Sequence, residues 1–279
     1  MMVASLLLYA ASVALSLSSI ATNAQDGSSH VPAGDVVPSN HTNEATLTNP
    51  NSTVPKGTKT YTVGLQTSAY DDEYSSDSFA AAILISPTHV LTGRSTITSD
   101  IRYASIGSHY NNGTADGEQI KVVAIMYHPN ISENAEYAYD FVILQLEKPS
   151  SFEPIPMTDG SDIKDGETVT KLGWYSTGGQ GQNAVELQRV DVQLISNEEC
   201  SKLTSVDESR MCSRPVDNQE SCTGDYGGPV IVERPEGDVL VGMVSWGDNC
   251  RKPGYPSYYS RIPVGREWID SVIGGSCYH

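Results

Sequence analysis

Ser221-Cys222-Thr223-Gly224-Asp225-Tyr226-Gly227-Gly228-Pro229-Val230 is a run of small and turn-forming residues that opens into an apolar stretch. That stretch, Pro229 to Glu233, reads as a strand, because residues rich in Val and Ile stand between turn formers. Short segments of the same kind lie around it: Thr168 to Trp174, Leu187 to Ile195, Leu240 to Trp246 and Tyr258 to Ile262. An earlier set precedes the Pro- and Gly-containing connection from Pro149 to Gly160. It comprises Tyr61 to Gln66, Ala80 to Ser86, Ile101 to Gly107, Gln119 to Tyr127 and Phe141 to Leu146. Gly265 to Ile273 is the segment that reads as helical. Two successive β lobes with one C-terminal helix are therefore expected.

The chain begins differently. An uncharged apolar stretch from Val3 to Leu17 gives way to small and polar residues ending at Thr22-Asn23-Ala24, which reads as a secretory signal peptide cut after Ala24. A membrane anchor needs about 20 apolar residues and flanking positive charge, and neither is present in residues 1–24. Residues 25–57 are rich in Ser, Thr, Asn and Pro and read as a flexible leader, since so few apolar side chains bury too little surface to fold. The remaining divisions are an N-terminal lobe over 58–150, a C-terminal lobe over 151–263, and a helix and tail over 264–279.

With 17 basic against 34 acidic residues and no charge in residues 1–24, the net charge of −17 belongs to the mature chain. Such a balance disfavours nucleic acid and anionic membranes and steers basic proteins toward this one, while serving solubility equally well. Four glycosylation sequons start at Asn40, Asn51, Asn112 and Asn130. They fit a secretory route.

The opening decapeptide resembles the nucleophile loop of trypsin-like serine proteases, with Tyr226 where that family carries its Ser. Four other segments and a fifth match in the family's order: Leu91-Thr92-Gly93-Arg94-Ser95-Thr96, Asp140-Phe141-Val142-Ile143-Leu144, Gly173-Trp174, Val244-Ser245-Trp246-Gly247 and Glu267-Trp268-Ile269. The resemblance implies an all-β fold, a trypsin-like double six-stranded antiparallel β-barrel with a C-terminal helix. It also implies a failure of the chemistry. Ser95 stands where the general-base His belongs, and Asp140 alone keeps its type. In that mechanism a Ser attacks, a His takes its proton, and the Asp orients the His. Losing the nucleophile or base costs on the order of a million-fold in turnover. His30, His41, His89, His109, His128 and His279 fall on no loop facing position 226 and read as structural or solvated. A hydrogen bond from Ser95 or Tyr226 to Asp140 would make a structural network and no active site.

The same resemblance places Glu220, Gly247 and Ser257 in the former specificity pocket, which Ser257 narrows. No Ile-Val-Gly-Gly-like terminus precedes Thr60 to pair with Asp225. Ser108 stands where calcium-binding relatives are acidic, so no metal is expected, nor any cofactor. Cys200 would pair with Cys212 and Cys222 with Cys250, leaving Cys277 as a free tail thiol or an intermolecular link. The first-lobe bridge would fall on Ala80 and Thr96, where both cysteines are missing.

Among homologues with dead triads the chain is most similar to the oomycete glucanase inhibitor proteins. Gly57-Thr58-Lys59-Thr60-Tyr61-Thr62, Leu91-Thr92-Gly93-Arg94, Ile106-Gly107-Ser108-His109-Tyr110-Asn111-Asn112-Gly113-Thr114 and Gly117-Glu118-Gln119-Ile120-Lys121-Val122-Val123-Ala124 carry that similarity. It implies a monomeric, secreted, apoplastic effector that binds host plant endo-β-1,3-glucanase. Alternatives are another secreted pseudoprotease binder, namely a decoy, an adhesin or an inhibitor of a different wall enzyme, and last a working hydrolase.

Overall fold

The computed structural model describes residues 53–67, 78–97, 100–113, 116–131, 138–174, 184–215, 226–245 and 256–275. Among these residues twelve strands form two closed barrels. The first comprises β1 (Thr62–Gln66), β2 (Ala80–Ser86), β3 (His89–Thr92), β4 (Tyr103–Ile106), β5 (Glu118–Tyr127) and β6 (Val142–Leu146) in the order β1-β2-β3-β6-β5-β4. The second comprises β7 (Thr168–Gly173), β8 (Gln188–Ile195), β9 (Arg210–Pro215), β10 (Pro229–Arg234), β11 (Gly237–Val244) and β12 (Ser257–Arg261) in the order β10-β11-β12-β9-β8-β7. Every pairing is antiparallel. Closure leaves each strand with partners on both sides along at least part of its length, which removes most of the open edges that a flat sheet would present.

Composition explains why these segments extend. β2 reads Ala-Ala-Ala-Ile-Leu-Ile-Ser and is buried throughout, as a strand covered on both faces requires. Two strands were not among the expected segments. His89–Thr92 is only four residues long, and Arg210–Pro215 carries Arg, Cys, Ser and Pro. Barrel closure makes both of them strands, since β3 bridges β2 to β6 and β9 bridges β8 to β12. This is tertiary context overriding weak local preference.

The expectation of a single helical segment is also corrected. α1 (Asn197–Cys200) adds one turn, capped by the Ser196 hydroxyl, which accepts from the Glu199 N–H at 3.1 Å. The Ser196-Asn197-Glu198-Glu199 spacing is the capping-box signature that announces such a turn. α2 (Ile262–Ile273) starts three residues before Gly265, because Pro263 fits a first helical turn, where its missing N–H costs nothing.

One core runs between the barrels. Leu65, Ile83, Leu91 and Phe141 of the first share a cluster with Leu172, Trp174, Ile231 and Leu240 of the second and with Trp268 and Ile269 of α2. A second cluster of Val169, Val192, Val230, Val241 and Tyr259 fills the C-terminal barrel. The main chain stitches the two together: Ile155 N–H donates to the Leu84 carbonyl at 3.1 Å, and Leu187 N–H to the His109 carbonyl at 2.8 Å.

The segment before β1 is bound to the second barrel, so Thr53 and Val54, within the stretch 25–57 expected to be a flexible leader, are held in place. Thr53 bridges to Gln188, and the buried Val54 donates its N–H to the Leu187 carbonyl at 2.9 Å. Lys59 adopts a left-handed φ of 54° and places its ammonium 2.8 Å from both Asp238 oxygens and 2.6 Å from Glu233 Oε1. Tyr61 donates its hydroxyl to Asp238 at 2.6 Å, and Arg189 holds the other side of Glu233 at 2.9 Å. Burial works to raise the Glu233 carboxyl, but hydrogen bonds from Lys59 and Arg189 outweigh it and hold the group below its ordinary range. A depressed carboxyl contributes stability above its ordinary pKa and loses it as pH falls through the folded value, so this clasp fails first in acid. Lys59→Met keeps the stem and leaves two half-buried carboxylates facing each other. It is expected to cost about 2 kcal/mol at neutral pH, below the range for fully buried pairs because solvent screens the site. Thermal melts of the two proteins at pH 7 and pH 4 check this, the gap closing at the lower pH.

Candidate functional site

The site is built where a turn of the first barrel faces the approach to β6 and the start of β10. After Thr92 the chain passes extended Gly93 into one 3-10 turn, Arg94–Thr96. Threonines replace covalent bonding there. The Thr96 hydroxyl donates to the Gly93 carbonyl at 2.7 Å and lies 3.0 Å from the Thr92 hydroxyl, which donates to the Ala81 carbonyl at 3.0 Å. Thr96 and Ala80, where a first-barrel bridge would fall, are both buried.

This turn aims two N–H groups at Asp140. The Arg94 N–H donates to Oδ1, the Ser95 N–H also reaches the carboxylate, and the Ser245 hydroxyl donates to Oδ2 at 2.7 Å. Asp140 is 1% exposed, and its own carbonyl accepts from the Ser260 hydroxyl at 3.2 Å. Burial pushes its carboxyl up, while Ser245, the two N–H groups and the positive field of Arg210 pull it back without cancelling that rise. The neighbouring Tyr139, at φ 52°, is fixed by its N–H on the Ser209 hydroxyl at 3.1 Å and by stacking on His128 at 5.1 Å between ring centroids.

The structure thus separates residues that the sequence reading linked. The Ser95 side-chain hydroxyl is buried and makes no hydrogen bond; the main chain of Ser95, and the hydroxyl of Ser245, serve Asp140 instead. The three described histidines are engaged elsewhere. His89 Nδ1 lies 2.9 Å from the Ser86 hydroxyl, and His109 Nε2 lies 3.5 Å from Glu186. His128 packs among Tyr139, Phe141 and Trp268, with Nδ1 accepting from the Asn130 N–H at 3.1 Å; burial holds its pKa down. A general base must reach its proton donor within about 3 Å. Among the described residues no imidazole is placed beside Asp140 or Ser95.

Tyr226 is 38% exposed, and its carbonyl accepts from the Ala81 N–H at 3.1 Å. Gly227 follows at φ 85°, with its N–H on the Val244 carbonyl at 2.8 Å, so position 226 is held from both barrels. Ser257 is buried at the start of β12 opposite Ser213, whose hydroxyl lies 2.6 Å from that of Tyr259. Glu220, Gly247, Cys222 and Cys250, with the sequons at Asn40 and Asn51, lie outside the described residues. Asn112 and Asn130 are exposed. Cys200 and Cys212 form a disulfide with Cα atoms 6.2 Å apart. The Ser108 hydroxyl lies 2.7 Å from Asp116 Oδ1 and 2.8 Å from the Tyr110 carbonyl oxygen and accepts from the Tyr110 N–H at 3.2 Å, so hydrogen bonding ties that loop together.

Two site residues were not singled out from the sequence. Ser245 lay inside the quoted motif Val244-Ser245-Trp246-Gly247 with no role of its own. Arg210 had no motif at all. It is 5% exposed, its guanidinium lies over the Tyr258 ring at 5.9 Å, and its NH2 has no hydrogen-bond partner.

Two closed six-stranded barrels, a C-terminal helix, and a buried aspartate that takes hydrogen bonds from Ser95 of one barrel and Ser245 of the other define a trypsin-like serine-protease homologue. In agreement, the Trypsin family matches residues 34–269. The chain is 42% identical over 229 residues to glucanase inhibitor protein 2 of Phytophthora infestans, covering 80% of this chain and 87% of that one. It is 44% identical over 230 residues to glucanase inhibitor protein 3 of the same organism, with coverages of 80% and 86%. With glucanase inhibitor protein 1 of Phytophthora sojae it shares 41% over 232 residues, with coverages of 79% and 86%. The chain belongs to the glucanase inhibitor proteins.

Proposed function

We propose that this protein is a secreted, non-catalytic serine-protease homologue that binds a host plant endo-β-1,3-glucanase and inhibits it, limiting release of defence-eliciting glucan fragments in the apoplast. The observation that carries the catalytic half of this reading is the Asp140 carboxylate. It accepts from the Arg94 and Ser95 N–H groups and the Ser245 hydroxyl, and among the described residues no imidazole lies beside it to be oriented. Ser95 then replaces the base and Tyr226 the nucleophile. A phenol with an ordinary pKa near 10 is a poor nucleophile at neutral pH. The names and similarity of the relatives support the binding half.

Within this reading residues 1–24 are the signal peptide and 25–57 the leader. The lobes divide near residue 150, and residues 264–279 close the chain. Glu220, Gly247 and Ser257 form a vestigial pocket, Cys222 pairs with Cys250, and the four sequons carry glycans.

Purified protein titrated into an endo-β-1,3-glucanase is expected to give saturable, stoichiometric loss of glucan release, weaker at high salt if opposite charge speeds association. The same preparation is expected to resist fluorophosphonate labelling and to hydrolyse peptide esters about a million-fold more slowly than an active trypsin-like enzyme. Unaltered glucan release with several glucanases removes the inhibitor reading. Stoichiometric labelling removes the non-catalytic one.

A further inference from the structure

β5 is ten residues long and is paired on alternate sides: Glu118–Lys121 with β4, then Val122 and Ala124–Tyr127 with β6. His128 donates its N–H to the Phe141 carbonyl on the β6 side at 3.0 Å. Backbone direction alternates along a strand, so Met126 turns its N–H and C=O toward β6. Ile125 and Tyr127 turn theirs the other way, where no strand lies among the described residues. Val123, Ile125 and Tyr127 also point their side chains outward, 52%, 37% and 43% exposed. The run Val122–Tyr127 contains no charge and no proline, the devices that normally blunt an open edge. The patch continues to the degenerate site, because the Arg94 guanidinium lies 5.7 Å from the Tyr127 ring centroid and Arg94 precedes Ser95.

We propose that this half-edge of β5 docks the partner, which adds an extended segment as a further strand. Main-chain bonds to Ile125 and Tyr127 give affinity, and the Val123, Ile125 and Tyr127 side chains give register. The occupant is an apolar extended segment on a positively charged protein. A net charge of −17 on each molecule opposes a second copy and attracts a cationic surface. The inference rests on the inhibitor reading above, with the glucanase as that protein.

Ile125→Pro removes an outward N–H without removing a ladder bond, the position at which an edge tolerates proline. Val123→Asp with Tyr127→Lys charges the face and leaves the backbone intact. Affinity for a basic endo-β-1,3-glucanase is measured for wild type and both variants, with thermal melts and with hydrogen exchange at Ile125 and Tyr127. At least tenfold weaker binding by the double variant, near-native melting and slowed exchange in the wild-type complex are expected. If wild type binds and the folded double variant binds equally well, the surface is wrong and the function stands. If wild type binds no glucanase, the functional reading falls and this docking goes with it. Self-association that the variants abolish while glucanase binding persists assigns the edge to a second copy and overturns the proposal.

Discussion

Asp140→Ala is expected to destabilise the protein by about 3–5 kcal/mol, while Asp140→Asn is expected to change stability by no more than about 1 kcal/mol. Alanine orphans the Arg94 and Ser95 N–H groups and the Ser245 hydroxyl in a site that is 1% exposed, and removes a negative charge that acts on the buried Arg210. Asparagine keeps an acceptor for the two N–H groups and offers its NH2 to Ser245 Oγ. The pH dependence has a definite sign. A carboxyl pushed up by burial stabilises the fold most below its ordinary pKa, and that contribution is lost as pH rises through the folded value. The uncharged asparagine therefore gains on wild type at neutral and alkaline pH, and the gain vanishes on acidification. Urea unfolding of the three proteins from pH 4 to pH 8 reads both effects. Equal losses for Asn and Ala would show that the negative charge opposite Arg210 holds this region, more than hydrogen-bond geometry.

That contrast gives Asp140 a structural role in a site where, among the described residues, no histidine lies beside it. In an active homologue the residue orients a base. Here it terminates a 3-10 turn, a serine side chain 105 positions downstream and the field of an arginine, so its removal has a structural cost whatever the chemistry.

The second large effect is expected at Gly227. Its φ of 85° lies in the left-handed region, and a Cβ there would stand 2.3 Å from the Ala81 carbonyl oxygen and 2.3 Å from the Thr92 hydroxyl. Neither neighbour is the free end of a flexible chain. One is main chain of β2, and the other is already committed to Ala81 and Thr96. Gly227→Ala adds backbone strain of about 1–2 kcal/mol to overpacking of about 1–3 kcal/mol, so a loss near 4 kcal/mol is expected. It should appear as a lower denaturation midpoint with an unchanged m value. A midpoint within experimental error of wild type would mean that the two barrels separate enough at this seam to admit a methyl group.

Much of this architecture was legible because the barrel strands repeat one physical theme. Ala80–Ser86 and the Pro229–Val232 part of β10 are buried, largely apolar runs between turn formers, which is the signal that announces them. Arg210–Pro215 carried no such signal, since its strand character comes from β8 and β12 on either side. The site divides in the same way. Ser95 and Tyr226 stood out by departure from a recognisable local pattern, and Asp140 by keeping to it. The roles of Ser245 and Arg210 depend on contacts across 105 and 70 positions, which no local spacing encodes. The bare hydroxyl of Ser95 was equally hidden, because whether a serine finds a partner is decided by its surroundings after folding.

The threonine-held turn of the first barrel has a consequence for redox chemistry. All five cysteines lie at or beyond Cys200, so the first barrel is thiol-free and its Thr92, Thr96 and Gly93 contacts are indifferent to electron supply. The second barrel carries the Cys200–Cys212 bridge. A reductant therefore acts on one half of the molecule and spares the other, and the half it spares contains β5 and the turn that positions Asp140.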